Sequence, residues 1–175
     1  MKRLVATAVL LLLCISLPTS LEARGKKSSV DMRDMNHIFL GWIDLNPEQF
    51  FDLGYSKQEW IDVIGGANSF FQRNCQSKYL PGRTILAAKD KGDENAAGND
   101  LYIKFSDVTF GTDYRLQLSI HFIDPKTNSE IASIPARTYG AHLCGLVSCL
   151  ETELDQVGTK LQGEVTGKPR EKNNK

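Results

Sequence analysis

From Tyr114 to Phe122 the side chains alternate without a break. Tyr114, Leu116, Leu118, Ile120 and Phe122 fall on one face, and Arg115, Gln117, Ser119 and His121 on the other. A stretch of this kind settles as a strand in a sheet with one face buried and the other wet, because a one-residue slip would exchange the faces. Leu101 to Phe110 reads as the strand before it, turned back by Gly111-Thr112-Asp113. Asp124-Pro125-Lys126-Thr127-Asn128 forms the next turn, where Pro125 presets φ and Asn128 tolerates a left-handed backbone. Glu130 to Ile134 is then the third strand of a meander, ended by Pro135.

The buried face of such a sheet needs a cover, and two helical patterns supply it. Ser56-Lys57-Gln58-Glu59 is a capping box, in which Ser56 bonds a free first-turn amide and Glu59 reaches back. Behind it Trp60, Val63, Ile64, Ala67, Phe70, Phe71 and Cys75 recur at helical spacing to about Tyr79, and Pro81-Gly82 stops the helix. Gly65-Gly66 inside it is either a close-packing spot or a weak point. Before this helix, residues 37–44 form a short apolar run with the composition of a strand covered on both faces. Asn46-Pro47-Glu48 turns the chain into a short helical turn through Phe50 and Phe51. Thr84 to Ala88 follows the helix as a strand, so strand, helix and strand predict a right-handed crossover with the two strands parallel. The last helix carries Leu146, Leu150, Leu154, Val157 and Leu161 on one face. Its start is open, since Ser148-Cys149-Leu150-Glu151 is a second capping box while Leu143 also fits the stripe. The order β-α-β-β-β-β-α predicts an α+β two-layer sandwich. A mixed sheet of about five strands would carry both amphipathic helices on one face, leaving the other face solvated.

Lys2 and Arg3 precede an apolar run from Leu4 to Leu17, broken by Pro18 and followed by Leu21-Glu22-Ala23. This is the pattern of a secretory signal peptide cleaved after Ala23, and the run is short for a membrane span. Leu13 stands before Cys14 where lipoprotein processing takes a small side chain, which speaks against an acylated Cys14. The expected division is a signal peptide at 1–23, a leader at 24–35, one domain at 36–165 and a disordered polar tail at 166–175. The whole chain has 21 basic and 21 acidic residues, and removal of 1–23 leaves 19 against 20. A near-neutral domain has no net field to recruit nucleic acid or anionic lipid. No membrane span is expected after cleavage.

The chemistry-bearing residues are sparse. His37, His121 and His142 stand in no zinc-type spacing. A hydrolytic site would have to assemble from distant residues, such as His121 with an acid the sequence does not place. Asp90, Asp93, Glu94, Asn95, Asn99 and Asp100 make the 89–100 loop rich in oxygen ligands, though Lys89 and Lys91 lie among them and the spacing is not an EF-hand. That loop is the alternative reading, a small-ligand or calcium-binding module. No catalytic, cofactor or metal set is expected. Cys75 sits beside the core-facing stripe, while Cys144 and Cys149 flank Gly145-Leu146-Val147-Ser148. An unbroken helix through both would hold their Cα atoms about 8–9 Å apart, too far for a disulfide. A helix starting at Ser148 would leave 143–147 as a loop that Gly145 lets curl. A structural Cys144–Cys149 bridge is therefore expected, with a Cys75 bridge or three free thiols as alternatives.

The strand Asp100-Leu101-Tyr102-Ile103-Lys104-Phe105 with the hairpin Ile123-Asp124-Pro125-Lys126-Thr127-Asn128-Ser129-Glu130-Ile131 resembles a recurring unit of bacterial envelope proteins. It is similar to the small α/β units of the curli-secretion lipoprotein and of the amino-terminal domain of the Tol-Pal propeller protein. Asn128 stands where that pattern usually has glycine. The whole chain resembles an uncharacterised family of exported bacterial proteins. The resemblance implies an envelope setting, periplasmic or extracellular, and a binding or assembly role. The function expected is that of a non-enzymatic exported envelope protein acting through protein–protein contacts, its partner another envelope protein. The sheet edges are available for strand addition.

Overall fold

A computed structural model describes residues 31–52, 54–88, 100–140 and 145–167. Five strands form one sheet in the order β2-β1-β3-β4-β5, with β1 at His37–Leu40, β2 at Thr84–Ala87, β3 at Asp100–Phe110, β4 at Leu116–Asp124 and β5 at Ser129–Arg137. β1 pairs in parallel with β2 and β3, and β3, β4 and β5 form the antiparallel meander. The sheet is mixed, as expected for an α+β sandwich. Among the described residues three α-helices accompany it: α1 at Pro47–Asp52, α2 at Lys57–Asn74 and α3 at Leu146–Thr166.

The capping box at Ser56 is formed in full. It starts α2, which buries Ile64, Ala67, Asn68 and Phe71. α2 runs on into a π turn, Cys75–Tyr79, closed by the Leu80 N–H donating to the Cys75 carbonyl at 2.8 Å. The wider turn keeps both Cys75 and Tyr79 in the core. Tyr79 lies over Gly158 of α3, where a Cβ would stand 2.1 Å from the ring. The Tyr79 hydroxyl and the Lys78 ammonium both donate to Asp155. Burial alone would raise the Asp155 carboxyl, but these two donors outweigh it and hold it below the usual carboxylate range. α2 and α3 are thereby joined through Tyr79 by packing and by charge.

The predicted alternation on β4 is present: Leu116, Leu118, Ile120 and Phe122 are buried, and Gln117 is exposed. Other expectations need correction. β1 ends at Leu40 rather than 44, and it alternates instead of being covered on both faces, with Ile38 and Leu40 buried and His37 exposed. Gly41 still donates to the Ile103 carbonyl at 2.7 Å, but a Cβ there would press on that oxygen at 2.8 Å. Beyond it the chain leaves the sheet, and Ile43 and Leu45 reach the core as irregular backbone while Trp42 is 57% exposed. β5 runs through Pro135 to Arg137, because an edge strand has a free side on which the missing N–H costs nothing. α3 starts at Leu146 with Gly145 as its cap, not at Ser148. The two added residues bury Leu146 above Leu150, and that packing outweighs the Ser148 cap. A Cβ added at Gly65 or Gly66 would meet nothing within 4 Å, so of the two readings of this pair the close-packing spot is excluded.

The outer sheet face is not uniformly polar either. Leu86, Phe39, Tyr102 and Ile123 are successive partners across β2, β1, β3 and β4, an apolar row on the face opposite the helices.

Candidate functional site

His121 occupies the middle of β4 on the outer face. Lys104 and Ser133 stand directly opposite it on β3 and β5. Its diagonal neighbours are Ser106, paired with Ser119, and Glu130, paired with Ile123. Both close on the ring. Nε2 of His121 is 2.8 Å from Ser106 Oγ, and Nδ1 is 2.7 Å from Glu130 Oε2. Ser133 Oγ stands 3.2 Å from the same Nδ1. A carboxylate only accepts, so the Glu130 contact places a proton on Nδ1. In the neutral ring Nε2 is then an acceptor aimed at the Ser106 hydroxyl. The His121 side chain is 23% exposed and that of Glu130 51%.

Two irregularities shape this site. After Ser106 the β3–β4 register slips, so that Asp107 and Val108 face Leu118 alone. Asp107 has φ 53, a left-handed conformation that costs a non-glycine residue. Its carboxylate Oδ2 accepts from the Ser106 hydroxyl at 2.8 Å, competing with His121 for one proton. A second slip, between Phe122 and Ile123, aligns Glu130 with the ring.

His37 has a simpler role. Its Nδ1 lies 3.0 Å from Asp100 Oδ1, directly across β1 and β3. Asp100 falls at the end of the oxygen-rich 89–100 stretch in sequence, but it is the buried first residue of β3. The rest of that loop, and with it the calcium reading, lies outside the described residues, as does His142. Among the described residues no group of three or more His, Cys, Asp or Glu side chains could hold a metal ion. Cys75 is a free, buried thiol that desolvation pushes up to about 12, so it stays protonated and unreactive. Cys149 is buried in the first turns of α3, and its expected partner Cys144 lies outside the described residues.

A groove opens between the first turns of α2 and α3. Its volume is about 380 Å³, and Tyr55, Val63, Leu146 and Val147 form its apolar walls. Glu59 and Asp62 add two acids to its lining. The Ser56 hydroxyl and N–H both donate to Glu59 and lower its pKa, so it is ionised at neutral pH. Val147 is 50% exposed although it opens a helix whose other face is core. Of the aromatics near this end, Phe50 is buried and stacks on Phe110, whereas Phe51 is 45% exposed.

Sequence reasoning missed Ser106, Glu130 and the buried Asn68. The Asn68 carboxamide accepts from the Ile43 N–H at 2.8 Å and donates to the Ile43 and Ile64 carbonyls, each at 3.0 Å. Its one signal was a polar residue beside Ala67 on the core-facing arc of α2.

No protein-family model matches the chain, and no curated protein does. Among solved structures it is similar to the PelC dodecamer from Paraburkholderia phytofirmans, with a TM-score of 0.43 and 15% identity over 74% of this chain and 89% of that one. A single-substitution variant of the same dodecamer gives a TM-score of 0.42 and 14% identity over 74% and 88%. Likeness at this level carries over neither function nor assembly.

Proposed function

We propose that this is an exported protein of the bacterial envelope that acts by binding another protein through the groove between α2 and α3. The observation that carries the reading is the groove itself: apolar walls, with Val147 half exposed, and two acids beside them. The fitting partner presents an apolar side chain next to a lysine or arginine, which would meet the half-exposed Val147 on one side and Glu59 and Asp62 on the other. The sheet edges are weaker candidates. β2 is only four residues long, and Pro135 removes a donor from β5. The described residues include no helix long and apolar enough to cross a membrane. The leader pattern at 1–23 supports export.

Two further expectations belong to this reading. Cleavage after Ala23 should give an N-terminus at Arg24, and mass spectrometry of protein from outside the cytosol checks it, intact Met1 being the contrary result. With Gly145 as cap, Cys144 holds the sequence position before the cap and Cys149 is the fourth residue of α3. Those are the two positions a hydrophobic staple brings together, and a Cys144–Cys149 disulfide would fix the same contact covalently. Peptide mapping without reductant should find that pair linked and Cys75 alkylated. Alkylation of all three would dismiss the bridge.

The contact role is tested by capture from envelope extracts with wild-type domain, Val147→Asp, Asp62→Lys and Ser119→Ala. A partner retained by the wild type and Ser119→Ala, but lost with both groove variants, supports the reading. Retention of the same partner by all four removes the groove from consideration.

A further inference from the structure

The geometry points to a second capability, separate from the groove: we propose that Ser106, His121 and Glu130 form a nucleophile, general base and orienting acid able to hydrolyse small acyl esters on the open face of the sheet. The three residues come from three adjacent strands and meet in the order such chemistry requires. Nε2 faces the hydroxyl, Nδ1 faces the carboxylate, and both separations are hydrogen-bond distances. Ser106 sits at the entry of a bulge, where Asp107 takes a left-handed backbone and the regular ladder is interrupted.

In the first step Ser106 Oγ attacks the ester carbonyl carbon. The new O–C bond forms as the hydroxyl proton passes to Nε2 of His121 and the carbonyl π pair moves to oxygen. Collapse of that oxyanion breaks the bond to the alkoxy group, which leaves as the alcohol with the proton from His121. Water then gives a proton to Nε2 and attacks the acyl carbon. The acyl–Oγ bond breaks, the acid departs, and the proton returns to Ser106. The net change is ester plus water to acid plus alcohol, with no oxidant or reductant. Glu130 is a positioning residue that holds the tautomer. Asp107 acts against the reaction, because its carboxylate competes for the Ser106 proton.

The test uses the purified folded chain, a fluorophosphonate probe and p-nitrophenyl acetate. The probe should label Ser106, identified by peptide mass spectrometry. Ser106→Ala should abolish labelling, and His121→Gln should slow ester turnover by about 10²-fold or more. Asp107→Ala should raise the labelling rate several-fold, a gain that loss of a purely structural bond does not produce. Glu130→Gln should lower the rate at unchanged Tm, and Glu130→Asp should restore part of it. Folding of every variant is checked by circular dichroism. Absence of label on folded wild type, or label that persists in Ser106→Ala, overturns the proposal and leaves the cluster a cross-strand polar network. Neither result bears on partner capture at the groove.

Discussion

Asn68 and Cys75 lie along the same buried side of α2 and its π turn, and they hold the core by opposite means. Asn68 spends its carboxamide on a backbone segment that belongs to no strand, answering both polar groups of Ile43. Asn68→Leu keeps the bulk but leaves those groups buried without partners, which should cost about 2–4 kcal/mol in denaturant unfolding. A loss below about 0.5 kcal/mol would mean that water replaces the amide there. Cys75 contributes only as a small apolar group, and Cys75→Ala should cost about 1–2 kcal/mol at neutral pH. That gap must shrink in alkali. The thiol ionises near 9 in the unfolded chain and near 12 in the folded one, so its contribution is complete below pH 9 and is lost progressively as pH rises from 9 toward 12. Urea unfolding of both proteins at pH 7 and 10.5 checks the sign. A gap that widens with pH would mean that Cys75 is not shielded as described.

Glycine substitutions separate the elements cleanly. Gly65→Ala in α2 adds a methyl to open space and should stabilise by about 0.5–1 kcal/mol. Gly158→Ala in α3 drives a methyl into the Tyr79 ring and should destabilise by about 1–3 kcal/mol. Thermal unfolding of the pair decides whether the α2–α3 contact is as close as described, and equal effects would contradict it. In the β4–β5 turn Asn128 has φ 53, so Asn128→Gly should be nearly neutral and Asn128→Val should cost about 1–2 kcal/mol. That turn and the β4 alternation were readable because their cause is local: a proline, an asparagine, a period of two. The α2 start was readable for the same reason, Ser56 and Glu59 being three residues apart. The end of β1, the passage of β5 through Pro135 and the start of α3 are set by partners distant in sequence, so local signals misplaced them. Ser106 and Glu130 were invisible for a stricter reason. They reach His121 only through the register of three strands and, for Glu130, a slip between Phe122 and Ile123, neither of which leaves a mark in composition.

At the scale of the whole molecule, two layers divide the work. The helical layer closes the core and leaves the groove between the first turns of α2 and α3, while the open sheet face carries the His121 cluster and the apolar row from Leu86 to Ile123. A partner at the groove and a reaction at the cluster would therefore be independent, and variants in one should leave the other intact. Contact at the groove is open to site-specific photo-crosslinking. A photoreactive amino acid is placed at position 147 in one strain and at position 117, on the far sheet face, in another, and both are irradiated in intact cells. A groove-bound partner should give one discrete crosslinked protein from position 147, suppressed by Asp62→Lys, and none from position 117. No crosslink from 147, or the same product from both positions, would contradict it.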